Sequence, residues 1–265
     1  MDALQNVIGV FTDIDDTLTR EGAIDPPAWD ALHDLRAAGI PVVAITGRPL
    51  GWSEPFARAW PLDAIVAENG GVALVREDAG GAAGLQIEFA QDRDTRQRNA
   101  VRLQQAGKRV LLEVPGARLA TDSPGRVTDI AIDHSEHAHL DPAAIEQVVR
   151  VMRAEGLHAT VSSIHINGWI GEHDKLSAAH WMVRRLYGRP LEAEMRHWVY
   201  IGDSTNDQRM FAAFALSVGV ANLRRFAAEL QHWPAFITEG ERGAGVAEVA
   251  QRLLQARRRV GQPPD

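Results

Sequence analysis

The stretch VIGVFTDIDDTLT, residues 7–19, decides the fold. Residues 7–11 form a short, β-branched apolar run, the composition of a strand buried on both faces, as parallel strands are. Such a strand needs parallel neighbours joined by helical crossovers. Directly behind it, Asp13, Asp15 and Asp16 crowd three carboxylates into four positions. Like charges this close repel, and each is driven toward its neutral form. The turn therefore calls for something positive to sit beside it.

Working outward, the same rhythm continues. Residues 26–38 predict a helix closed by Gly39, with proline in its first turn. PVVAIT (41–46) is a second buried strand, followed by a helix over 53–60. AIVAEN (64–69) is a third, with a hairpin partner expected in GGVALV across the Asn69-Gly70 turn. Residues 76–86, rich in Gly and Ala, predict a linker. Beyond it the character changes: a helix over 94–105, strands over 109–114, 127–133 and 158–168, and an amphipathic helix over 142–154. From Lys175 the first rhythm returns, with a helix to Gly188, strands over 197–203, 215–222 and 235–238, and helices between and after them. Alternating strands and helices predict an α/β fold: a parallel sheet core over 1–77 and 172–265, interrupted by an inserted α+β domain over 78–171.

Composition narrows the function classes. The chain has 265 residues, 45% of them hydrophobic, with 28 Lys and Arg against 35 Asp and Glu for a net charge of −7. That argues against a nucleic-acid partner, which would bring a basic stripe. There is no cysteine, which excludes disulfides, thiolate metal sites and a cysteine nucleophile. The opening residues lack a basic start and a long apolar run, and no stretch approaches a membrane span, so a cytoplasmic location without membrane contact is expected. The basic tail over 255–265 is expected to be a frayed, solvated end. Oligomeric state is not encoded in any pattern here.

In an open parallel sheet, ligands bind beyond the carboxyl ends of the strands. Asp13 and Asp15 follow the first strand, Thr46 ends the second, and Asp203 and Asp207 follow the returning one, while Lys175 precedes a helix. Carboxylates gathered with a hydroxyl and an ammonium suit a hard cation such as Mg²⁺ and the transfer of a phosphoryl group. Taken singly, each motif has an ordinary explanation, because Asp favours turns and helix caps. Their order along one chain is what carries weight.

DIDDT, TGR with Thr46, the isolated Lys175 and GDSTND (202–207) resemble, in order, the four motifs of the haloacid dehalogenase (HAD) superfamily of phosphatases. ENGG (68–71), the long insert, GVAN (219–222) and TEGERGAGVAEV (238–249) are similar to its Cof-type, sucrose-phosphatase-like branch. The resemblance implies a Rossmann-like sheet with helices on both faces and an α/β cap that acts as a substrate lid. It implies Asp13 as nucleophile and metal ligand, and Asp15 as general acid/base whose carbonyl also serves the metal. Asp203 and Asp207 would be the remaining metal groups, with Thr46, Gly47, Lys175 and Asn206 binding phosphate. Asp16 stands where many members have glycine. In the cap, His165, Asn167 and Trp169 are candidates to meet a polar substrate. A zinc site from His165, His173 and Asp174 is set aside because the spacing fits no helix-borne metal pattern. The expected activity is Mg²⁺-dependent hydrolysis of a small phosphorylated metabolite such as a sugar phosphate, through an aspartyl-phosphate. The alternatives are a phosphomutase of the same superfamily or a non-catalytic sensor of a phosphorylated metabolite.

Overall fold

A computed structural model describes residues 2–77 and 84–260. The chain divides into two compact units, one built from Met1–Ile45, Ala59–Ile65 and Lys175–Asp265, the other from Thr46–Arg58 and Val66–Asp174. Among the described residues, no helix is long and apolar enough to cross a membrane.

The first unit is built on parallel strands. Gly9–Thr12 pairs with Val42–Ile45 on one side and Trp198–Gly202 on the other, followed outward by Leu216–Gly219 and Phe236–Ile237. The first four are buried along their whole length, as their apolar composition requires. Helices Pro26–Ala37 and Arg242–Val260 pack together, and Lys175–Tyr187 packs on Gln208–Ala213. Phe11 stacks on Trp198, ring centroids 4.6 Å apart, and meets Phe214 edge-on at 5.8 Å. Gly39 ends its helix with φ +68°, a conformation that costs glycine nothing. The last helix runs on to Val260, so most of the tail expected to fray is helical, and residues 261–265 lie outside the described residues.

The second unit has a four-stranded sheet in the order His158–Val161, His165–Trp169, Asp129–Asp133, Arg118–Leu119, all neighbours antiparallel. Helices Arg93–Glu113 and Pro142–Ala154 share a core with it, built from Leu103, Val110, Ile132, Val148, Met152 and Ile166. Each helix starts on an aspartate whose carboxylate accepts a backbone N–H: Asp92 from Thr95 and Asp141 from Ala144, both at 2.8 Å.

Three expectations need correction here. RVLLEV (109–114) is not a strand: it is the end of a 21-residue helix. A short apolar run has no period of its own, and here Val110 turns inward while Leu112 is 85% exposed. HATVSSIHING is not one strand but two, turned at 162–164, where Ser162 Oγ accepts the N–H of His165. Gly84–Phe89, partly assigned to a linker, is a strand pairing antiparallel with Val72–Glu77. Residues 78–83 of that linker lie outside the described residues.

Candidate active site

Gly9–Thr12 and Trp198–Gly202 are parallel neighbours, with Thr12 opposite Ile201. An aspartate follows each strand at once, Asp13 and Asp203, and the Asp13 N–H donates to Ile201 O at 2.8 Å. Both carboxylates therefore leave from the same edge of the sheet. Asp207 joins them through a reciprocal cap with Ser204. Its carboxylate accepts the N–H groups of Asp203 (2.9 Å) and Ser204 (3.1 Å) and the Tyr200 hydroxyl. Gly202 is required here, because a Cβ would collide with that carboxylate. Oxygens of Asp13, Asp203 and Asp207 all lie within 4.8 Å of one another, and all three residues are buried. Among the described residues no other cluster of acidic or histidine side chains has metal-ligand spacing.

Lys175, at the start of its helix, reaches in from a position 4% exposed. Its Nζ donates to Asp13 Oδ1 at 2.5 Å and to Asp207 Oδ1 at 2.7 Å. Burial alone would lower its pKa, but the two carboxylates outweigh it and hold the ammonium charged. Burial, opposed by Lys175 and reinforced by Asp207 and Asp15, pushes Asp13 up to about 7. Burial, with repulsion from Asp13 and Asp207, holds Asp203 well above the usual carboxylate range. With all three carboxylates ionised, the state that burial and mutual repulsion resist, one buried ammonium leaves two negative charges to be met. An all-oxygen donor set with that deficit fits a hard divalent cation.

Asp15 is half-buried beside this cluster, and Asn206 is half-buried with its Oδ1 accepting from Ser204 Oγ at 2.9 Å. Asp16 adopts φ +55°, a left-handed conformation easy for glycine and tolerated by aspartate. Its carboxylate accepts from Arg225 Nη2 (2.7 Å) and Arg242 Nε (2.8 Å). Burial raises its pKa, but those two guanidinium groups win and hold it below the usual value. Arg225 also reaches Asp203 Oδ2 at 3.1 Å, and Asn222 Nδ2 donates to Asp16 O at 3.0 Å. Sequence reading missed Tyr200 and Arg225, and named the segments GVAN and TEGERGAGVAEV without a role for Asn222 or Arg242. The signal available for Asn222 was its place just past a buried strand and for Arg242 its place in the second of those segments; for Arg225 there was none.

The remaining sequence candidates belong to the second unit. Thr46 is buried, its Oγ1 accepting the N–H of Arg48 at 3.0 Å. Gly47 O accepts from Arg126 Nη1 (3.0 Å) and Asn167 Nδ2 (3.1 Å). Asn167 also donates to Asp129, and His165 Nε2 lies 2.8 Å from Glu136, a carboxylate that two Arg48 nitrogens also hold. Burial opposes ionisation of Glu136, but His165 and Arg48 pull it down to about 2. Trp169 Nε1 donates to His173 O at 2.7 Å, and its ring centroid lies 5.8 Å from that of His158 and 6.0 Å from that of His173. The three cap candidates are thus buried and bonded within their own unit.

Residues 10–90 match the model of the haloacid dehalogenase-like hydrolases. In sequence the chain is similar to a phosphoglycolate phosphatase of Methanosarcina mazei, 28% identical over 228 residues, covering 84% of this chain and 87% of that one. In structure it resembles the sucrose-phosphatase of Synechocystis, crystallised with sucrose and phosphate, with TM-score 0.65, 16% identity, and coverage of 93% and 97%. Protein 0175 of Thermoplasma acidophilum is similar as well, with TM-score 0.69, 17% identity, and coverage of 94% and 98%. The architecture is the α/β fold of these proteins, and the enzyme class the matches support is a phosphatase.

Proposed function

We propose that the protein is a cytoplasmic, Mg²⁺-dependent phosphomonoester hydrolase that acts on a small phosphorylated metabolite, of sugar-phosphate type, through an aspartyl-phosphate. The observation that carries this reading is the buried meeting of Asp13, Asp203 and Asp207 within 4.8 Å, with Lys175 bridging two of them. Asp13, Asp203, Asp207 and the carbonyl of Asp15 would hold the ion. When bound, Mg²⁺ supplies positive charge to the phosphoryl oxygens.

The steps belong to the chain's own residues. Asp13 attacks phosphorus in line, forming its O–P bond as the ester P–O bond breaks. Asp15 donates its proton to the departing alkoxide, then takes a proton from the water that attacks the phosphoenzyme. Inorganic phosphate leaves and Asp13 is regenerated. Lys175, held charged by its two carboxylates, keeps Asp13 oriented, and the candidate contacts for the phosphoryl oxygens are Lys175 and Asn206 of the first unit and Thr46 and Gly47 of the second. The insert over 78–171 would serve as the lid that selects the leaving group, with His165, Asn167 and Trp169 as its candidate substrate-facing residues.

The test is phosphate release from a panel of phosphorylated sugars, glycerates, nucleotides and phosphoglycolate, the last included because a relative bears that name. Turnover of at least one small phosphomonoester with Mg²⁺, lost on chelation and restored by re-addition, is expected. An isomerised sugar phosphate without free phosphate would make the protein a mutase. A ligand that raises the melting temperature but is never turned over would make it a sensor.

A further inference from the structure

The turn Glu68-Asn69-Gly70 is buried and holds three successive positive φ angles, +52°, +54° and +108°. Two of those residues carry side chains, and such a pair persists only where its surroundings enforce it. For Glu68 the reason is visible. Its carboxylate accepts the N–H groups of Leu50 (3.0 Å) and Val127 (3.1 Å) and both the N–H and hydroxyl of Thr128. It is a clasp between three segments of its unit.

Asn69 has no comparable reason. Its backbone N–H donates to Thr46 O at 2.9 Å, a bond any residue could make. Its side chain is only 2% exposed, and its Nδ2 finds no hydrogen-bond partner among the described residues. A buried amide donor left unpaired is costly. Glycine would serve the left-handed backbone without that orphan.

The orphan has a definite position. A Cβ placed on Gly47 would lie 3.3 Å from Asn69 Nδ2, so the amide rests against the Thr46-Gly47 turn. That turn is held by further hydrogen bonds. Arg126 and Asn167 hold the Gly47 carbonyl, and the N–H of the same peptide, that of Arg48, donates to Thr46 Oγ1. Donors on the carbonyl polarise the peptide and strengthen its N–H, and Thr46 Oγ1, already accepting, keeps its proton to donate. The Thr46 hydroxyl, and the Asn69 amide resting against the same turn, are left as two donors.

We propose that Asn69 is a substrate-binding residue, its Nδ2 donating to an anionic oxygen of the phosphoryl group recognised by Thr46 and Gly47. This rests on the reading of that turn as a phosphate contact. The full chain with Mg²⁺ provides the test, with inorganic phosphate as probe, by calorimetric affinity and by its inhibition constant in turnover. In Asn69→Gly, relief of strain and added freedom of the unfolded chain oppose each other, so the melting temperature should stay within a few degrees of wild type. Phosphate affinity should fall roughly 10- to 100-fold, the loss expected for a hydrogen bond to a charged group. Asn69→Asp, which keeps the shape but adds a negative charge, should fall further. Thr46→Ala separates the two readings. If it weakens phosphate while Asn69→Gly does not, Asn69 is not a ligand. If neither substitution changes phosphate affinity, the phosphate reading of the turn falls with it. A lowered melting temperature with unchanged affinity would make the amide structural and also overturn the proposal.

Discussion

Each unit buries a cluster of charges, and the two clusters are finished to different degrees. In the second unit the carboxylates meet short donors: Asp129 takes Arg126 Nη1 at 2.9 Å and Asn167 at 3.0 Å, Glu136 takes Arg48 at 2.8 Å, and Glu68 takes four donors. In the first unit Asp207 is as well served, by Lys175, the Tyr200 hydroxyl and two backbone N–H groups, but the Asp13 carboxylate meets Lys175, which it shares, and Asp203 has side-chain donors only at 3.1, 3.3 and 3.5 Å. Burying charge without full compensation is expensive. A cluster whose carboxylates each meet close donors ties together the fold it sits in, whereas one whose carboxylates are loosely met suits a cationic visitor. This difference separates scaffold from chemistry more sharply than burial does.

The largest expected effect tests the unfinished cluster. Asp13→Asn keeps the shape and removes the nucleophile, so turnover should drop on the order of 10⁴-fold or more while the melting temperature holds or rises. Stopped phosphate-release assays beside thermal melts measure both, and retained turnover would refute the role given to Asp13. Next comes the finished cluster. Arg126→Met strips Asp129 of its buried partner and should cost about 3–5 kcal/mol in denaturant titration, much of it recovered in the double variant Arg126→Met/Asp129→Leu. A loss well under 1 kcal/mol would erase the contrast drawn above.

The smallest effect is a pH dependence. Burial and nearby Asp129 push Glu68 up to about 7 in the folded protein from 4.5 when exposed. The folded state thus binds this proton more tightly than the unfolded one. The stabilisation is complete below pH 4.5 and fades as pH rises through 7. Between pH 5 and 8, wild type should lose about 1–3 kcal/mol more stability than Glu68→Gln. Equal slopes in the two proteins would remove Glu68 from the account.

The parallel core and its acidic turns were legible in the sequence because their signals are local. A β-branched run followed at once by aspartate marks a strand and its carboxyl end, whichever strand lies beside it. Lys175 was found only through the order of the motifs, since nothing around it indicates burial. Arg225 and Arg242 escaped because a long flexible side chain on a polar stretch looks solvated until the fold brings Asp16 within reach. RVLLEV escaped for the opposite reason: three apolar residues in a row suit a strand, and only the uninterrupted helix before them settles the matter. Residue-scale chemistry at strand ends survives in one dimension, while the reach of a long side chain to a partner two hundred residues away does not.

The strand at Gly9–Thr12 has consequences for how the protein is born. It lies between Val42–Ile45 and Trp198–Gly202, and the second of those partners is translated long afterwards. At 5–20 residues per second, roughly 10–40 s separate the emergence of Thr12 from that of Ile201. During that interval one edge of a segment buried along its whole length in the folded protein stands open on the ribosome, whereas the stretch from Val66 to Asp174 emerges without interruption. Chaperone demand should therefore fall on the nascent strand Gly9–Thr12, and the acidic centre comes into being only after Asp207 has emerged, nearly two hundred residues later.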